Sequence, residues 1–218
     1  MKRPNICAVI TSNNIKAIHE VEALIQLYEL RIDLVGKNWP DIVQQLSKPW
    51  IACNRAPEEG GAWQGSEDQR IATLMRATEL GATIIDVELR TKNLSSIVPM
   101  IKESSKCLLS YHNFTGTPPL DTMKEIIIMQ LEAGADICKL VTTAHSLEDS
   151  LVTLELFPQF PDNKLVTFAM GDLGIISRIL SPLAGGEFTY AALARGSESA
   201  PGQITVKELC NIYDVVIK

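Results

Sequence analysis

The chain has 218 residues, of which 46% are hydrophobic, and a formal net charge of -6. That length buries one full core but not two, so a single domain over residues 1–218 is expected. The acidic balance, with Lys and Arg scattered along the chain, argues against binding to nucleic acid or to an anionic membrane, both of which rely on a basic surface. No apolar run approaches the roughly 20 residues that a bilayer span needs. The start Met1-Lys2-Arg3-Pro4 leads straight into a strand without a secretory leader, so a cytoplasmic protein is expected. The five cysteines, Cys7, Cys53, Cys107, Cys138 and Cys210, show no paired spacing and read as small core residues.

Short runs rich in Ile and Val alternate with segments of helical period, about every 25 residues. The predicted strands are 6–11, 27–33, 50–54, 83–89, 107–111, 136–141, 165–170 and 187–192. The predicted helices lie near 16–25, 39–46, 66–80, 94–103, 120–133, 146–156, 174–183 and 206–216. Gly81 and Gly134 fall where helices end and a left-handed cap is wanted. Eight strand–helix pairs force parallel neighbours and favour an α/β fold of the (β/α)8 TIM barrel type, with an open doubly wound sheet as the alternative.

The most informative residue is Lys139, an amine inside the apolar strand 135–141. Burying an ammonium costs several kcal/mol unless it is paired or gives up its proton, and a neutral lysine is a nucleophile. Other predicted strands also carry or end in polar groups: Glu29, Arg31 and Asp33 on one face, Arg55, Asp86 with Glu88, and Ser110 with His112. Such a set suits an active site at one rim of a parallel barrel. Structural ion pairs, Arg31 with Glu29 or Arg55 with Glu88, are the plainer reading of any single member. His19 and His145 fall on or beside surface helices, and without a ligand cluster no metal site is expected; His112 suits acid–base work. Gly171 to Gly174 and Gly185-Gly186 flank the last two strands without matching a nucleotide fingerprint. Arg178 offers a guanidinium to a planar carboxylate, and 196–203 is a small-residue loop that is either a plain connection or a lid.

The runs Glu29-Leu30-Arg31-Ile32-Asp33, Arg55 with Glu59-Gly60-Gly61, Asp86-Val87-Glu88-Leu89, Ser110-Tyr111-His112-Asn113-Phe114, Asp136-Ile137-Cys138-Lys139, Gly174-Ile175-Ile176-Ser177-Arg178 and Ser199-Ala200-Pro201-Gly202-Gln203 together resemble type I 3-dehydroquinate dehydratase. The resemblance implies a (β/α)8 barrel, often a homodimer. It implies dehydration of 3-dehydroquinate to 3-dehydroshikimate through a lysine Schiff base, in the shikimate pathway to aromatic amino acids, with no metal and no cofactor. Lys139 matches the imine-forming lysine, His112 the proton-transfer histidine and Glu88 the carboxylate that orients it. Glu29, Arg31, Arg55, Arg178, Ser199, Ala200 and Gln203 match substrate-holding residues. Phe168, Tyr190 and Thr142-Thr143 depart from the usual pattern, and the chain starts at strand one without the N-terminal hairpin of longer members.

On this reading Lys139 is deprotonated by burial and nearby positive charge, and it attacks the C3 ketone. His112 takes the C2 proton and returns it to the departing C1 hydroxyl. A class I aldolase, which needs a phosphate site in place of the Arg178 clamp, and a ligand-sensing domain without turnover are the rivals.

Overall fold

The computed structural model describes residues 3–217, so Met1, Lys2 and Lys218 lie outside it. Chain order runs β1 (Ile6–Ile10), α1 (Ile15–Val21), β2 (Leu27–Arg31), α2 (Ile32–Val35), α3 (Trp39–Val43), β3 (Trp50–Cys53), α4 (Glu67–Glu79), β4 (Ile84–Glu88) and α5 (Leu94–Lys102). It continues with β5 (Lys106–His112), α6 (Leu120–Glu132), β6 (Ile137–Thr143), α7 (Leu147–Leu154), α8 (Leu156–Gln159), β7 (Leu165–Met170), α9 (Ile175–Leu180), β8 (Thr189–Ala192) and α10 (Val206–Val216). All strand pairs are parallel, in the order β7-β6-β5-β4-β3-β2-β1-β8. The seam between β7 and β8 is bridged where Glu187 N–H donates to the Leu165 carbonyl at 2.9 Å. This nearly closed (β/α)8 TIM barrel is the predicted architecture, and the open sheet is excluded.

Closure follows from side-chain alternation, since every second residue of a strand points to the same face. Leu30, Ile85, Val87, Leu109 and Ala191 face the helices, where they join Ile18, Ile42, Leu74, Ile101 and Leu209 in the main hydrophobic layer. The other phase points inward. Toward the strand starts it is apolar, with Cys7, Leu27, Ile51, Ile84, Leu108, Ile137 and Val166 packed together. Two residues further along the same inward phase come Glu29, Asp86, Ser110 and Lys139, all buried. One half of the barrel interior is therefore a core and the other half is a polar floor beneath the mouth.

Two predicted details change. The second strand stops at Arg31, and 32–35 coil into a helical turn, so Asp33 leaves the shared face with Glu29 and swings back onto Arg31. The glycine turns near β7 and β8 are packing devices: a Cβ at Gly174 would sit 2.3 Å from the Ala169 carbonyl oxygen, and one at Gly186 would sit 2.8 Å from Ser181 Oγ. All five cysteines are free and buried, in agreement with the core reading.

Candidate active site

The mouth of the barrel holds a pocket lined by Lys139 and His112 together with every predicted substrate contact: Glu29, Arg31, Arg55, Arg178, Ser199, Ala200 and Gln203. Glu88 does not line it.

Lys139 stands at the floor, its Nζ 3.0 Å from Asp86 Oδ2 and 3.6 Å from Glu29 Oε1. The Tyr190 ring lies 4.4 Å away on another side, within cation–π range. Burial by itself pushes the amine pKa down, but Asp86 and then Glu29 outweigh it and hold the group above the ordinary lysine range. The expectation of a deprotonated amine is therefore corrected: in the free protein Lys139 is an ammonium, because two carboxylates share its chamber. Glu29, Cys53 and Asp86 place ligand atoms within 4.8 Å of one another. Lys139 and Arg55 already pair with the two carboxylates, and burial holds the Cys53 thiol well above its usual range and so uncharged; the carboxylates serve as the lysine's counter-charge and the thiol adds none.

Asp86 is held in turn. Arg55 NH2 donates to its Oδ2 at 2.6 Å, Ser110 Oγ donates to its Oδ1 at 2.6 Å, and Arg55 NH1 donates to Ser110 Oγ at 2.6 Å. Burial opposes ionisation of Asp86, and Arg55 and Lys139 overcome it, so the carboxyl stays ionised to well below the usual range. Ser110 and Lys139 sit opposite each other in the β5–β6 register, which is how neighbouring strands deliver both to one spot.

His112 ends β5. Its Nδ1 lies 2.9 Å from Glu59 Oε2, and its backbone N–H donates to the same oxygen at 3.0 Å. An ionised carboxylate only accepts, so Nδ1 carries the proton and Nε2 is left as the free base. Burial, followed by the positive charge of Arg55 and Lys139, holds the imidazole pKa well below its ordinary value, so the ring is neutral near pH 7. Phe114 stacks on the ring at 6.0 Å between centroids.

The carboxylate on the histidine is therefore Glu59, not Glu88. Glu88 accepts from Arg70 NH1 at 2.6 Å and from the Ala56 N–H at 3.1 Å, and lies 3.1 Å from Arg55. Arg70 approaches from α4 and draws Glu88 away from the pocket, a tertiary contact that strand phase does not reveal. Glu59 carried its own signal in the two glycines that follow it. A Cβ at Gly61 would sit 1.9 Å from the Arg55 carbonyl oxygen, and Gly60 has φ +77° with the Phe114 ring against it. A turn that tight, next to β3, presents its carboxylate to the mouth.

Arg178 is fully buried, and among the described residues no carboxylate pairs with it. NH2 donates to the Pro201 carbonyl at 3.2 Å, Nε has no hydrogen-bond partner, and the guanidinium lies 4.3 Å over the Phe168 ring. Burial pushes its pKa down to about 9. Phe168, one of the unusual positions, thus supplies the face on which this arginine rests. Ser199 N–H donates to Gln203 Oε1 at 2.8 Å, bracing the loop over the pocket, and Arg31 is held bidentate by Asp33 at 2.9 and 2.7 Å.

A family model described as type I 3-dehydroquinase matches residues 6–218. A 3-dehydroquinate dehydratase of Dehalococcoides mccartyi is 43% identical over 218 residues, covering 98% of this chain and 96% of the relative. One from Methanococcus maripaludis is 34% identical over 219 residues, covering 97% and 99%. Among solved structures, the type I enzyme of Clostridium difficile, described with covalently modified comenic acid, superposes with a TM-score of 0.84 at 26% identity, covering 99% of this chain and 93% of that one. The 3-dehydroquinate dehydratase of Aquifex aeolicus gives 0.84 at 25%, covering 98% and 99%. With a barrel of this topology and a match along nearly its whole length, the chain belongs to the type I 3-dehydroquinase family.

Proposed function

We propose that the chain dehydrates 3-dehydroquinate to 3-dehydroshikimate through a Schiff base on Lys139. The observation that carries this is one pocket in which a buried lysine faces a neutral, glutamate-held histidine, with a carboxylate-free arginine in the same wall.

The charged state of Lys139 suits the chemistry. An ammonium and a ketone combine to a protonated imine and water with no change in net charge. Asp86 and Glu29, which balance the ammonium, then balance the imine in the same place. The ammonium first passes a proton to a neighbouring carboxylate, and the free amine attacks C3. That proton goes to the departing carbinol oxygen.

The cationic imine is an electron sink that acidifies C2–H. His112 Nε2, free because Glu59 occupies Nδ1, takes that proton. Glu59 stabilises the resulting imidazolium, as the buried carboxylate of a catalytic triad does. The enamine then expels the C1 hydroxyl, which leaves as water with the imidazolium proton, and hydrolysis frees Lys139. Arg178 takes the substrate carboxylate, while Glu29, Arg31, Arg55 and Gln203 address the hydroxyls. Ser199, Ala200 and Gln203 form the lid.

The reading places the protein in the cytoplasm, in the shikimate pathway toward aromatic amino acids, as a homodimer that needs no metal or cofactor. Apolar side chains exposed on α6 (Ile128, Met129) and α7 (Leu147, Leu151) are consistent with self-association. Two measurements test the chemistry. Dehydroquinate should produce the ultraviolet absorbance of a conjugated enoate, and borohydride added during turnover should leave one substrate- or product-derived adduct on Lys139. An active enzyme that borohydride does not inactivate would exclude the imine.

A further inference from the structure

The geometry points to Arg70, a residue outside the pocket, as a positioning residue that sets the Glu59–His112 pair through Glu88. The inference rests on His112 and Glu59 acting as the proton-transfer pair.

Arg70 occupies the first turn of α4, after the Ser66–Gln69 capping box. A cation there opposes the helix dipole, and this side chain is only 1% exposed. All five of its N–H groups are used. Nε and NH2 donate to the two oxygens of Glu67, each at 2.8 Å, and NH2 also donates to Thr91 Oγ1 at 3.0 Å. NH1 donates to the Asn54 carbonyl at 3.0 Å and to Glu88 Oε2 at 2.6 Å.

The bonds that follow lead to the histidine. Glu88 Oε1 accepts from the Ala56 N–H, so Arg70 and Glu88 grip the backbone on both sides of Arg55. The Ala56 carbonyl then accepts from the N–H groups of Glu59 at 3.0 Å and Gly61 at 2.9 Å, which forms the turn that presents Glu59 to His112. Glu88 also lies 3.1 Å from Arg55, the arginine that holds Asp86 beside Lys139. Substrate recognition by Arg178 and the 199–203 loop lies on the far strands and shares none of these bonds.

Loosening the grip should therefore slow proton transfer far more than it weakens binding or imine formation, which meet these bonds only through Arg55. Arg70→Gln, Arg70→Lys and Glu67→Gln are compared with wild type for KM, for kcat, and for the fraction of chains that borohydride traps. Trapping counts folded, imine-competent sites, so a variant that is merely unfolded loses trapped sites and turnover together. Arg70→Gln should lose about ten- to a hundredfold in kcat per trappable site, the scale of a misplaced catalytic group. KM should stay within about threefold, since Arg178 and the 199–203 loop are untouched and Arg55 is the one binding group that meets these bonds. The trapped adduct should shift toward the undehydrated species, heavier by one water. Arg70→Lys, which keeps the cation on Glu88, should recover part of the loss, and Glu67→Gln should show a smaller loss of the same kind. Wild-type kcat per trappable site in Arg70→Lys and Glu67→Gln, with Arg70→Gln either equal to them or low only in trapped sites, overturns the inference. Absence of an adduct in wild type would instead overturn the imine reading, independently of Arg70.

Discussion

Replacing Arg178 with Met should stabilise the free protein and abolish substrate binding. The guanidinium is 2% exposed, has one backbone acceptor and lacks a carboxylate partner among the described residues. Burial alone lowers its pKa from the ordinary arginine value to about 9. At about 1.36 kcal/mol per pKa unit, that drop corresponds to roughly 4 to 5 kcal/mol of lost solvation, an upper bound. For a base with a depressed folded pKa, the penalty is fully present below pH 9 and is relieved as pH rises from about 9 toward the ordinary arginine range. Methionine follows the same path as far as the Nε position, leaves the guanidinium's place over Phe168 empty and removes the charge. Exchanging a buried ion pair for apolar residues of similar volume is neutral or gains about 1 to 4 kcal/mol, and removing an unpaired buried cation should gain on that scale. Each kcal/mol is worth about 2 to 4 °C of Tm in a chain of this size. Substrate at a hundred times its Kd should stabilise wild type by about 2.7 kcal/mol, and the variant not at all. Differential scanning calorimetry with and without ligand reads both effects. A variant that melts below wild type, or one that substrate still stabilises, would refute the reasoning.

Glu59→Gln keeps an acceptor near His112 but loses the charge that stabilises the imidazolium, so kcat should fall by about a hundredfold or more while borohydride still traps the adduct. Glu88→Gln should show the milder loss of a positioning residue; the reverse ranking would restore Glu88 to the histidine. Because burial, Arg55 and Lys139 hold the His112 pKa well below 6.5, kcat/KM should persist below pH 6.5 and fall only as pH drops through that depressed value. A profile already halved at pH 6.5 or above would show a solvated imidazole. Gly202 has φ +72°, and a Cβ there would lie 2.2 Å from the Gly171 carbonyl oxygen, so Gly202→Ala should cost the closed loop about 1 to 3 kcal/mol. KM should rise and amides of 199–203 should exchange faster, and an unchanged KM would reduce the segment to a plain connection.

Local chemistry determined much of this protein from the sequence alone. Strand and helix periods, the glycines after α4 and α6, and eight alternating units are short-range properties, and they sufficed for the barrel. The inward phase of each strand, read by twos, placed Glu29, Asp86, Ser110 and Lys139 on one side. What the sequence leaves undecided is partner choice, because Coulomb and hydrogen-bond energies depend on distances between segments far apart in the chain. The state of Lys139 turned on Asp86, 53 residues away, and Glu29. The histidine's carboxylate turned on Arg70, whose approach from α4 takes Glu88, while two glycines fold Glu59 into its place. Asp33 left its predicted face because the backbone coils after Arg31 and the arginine closes a bidentate pair with it. A residue type limits which charges a site can hold, and only the assembled barrel decides which of them meet.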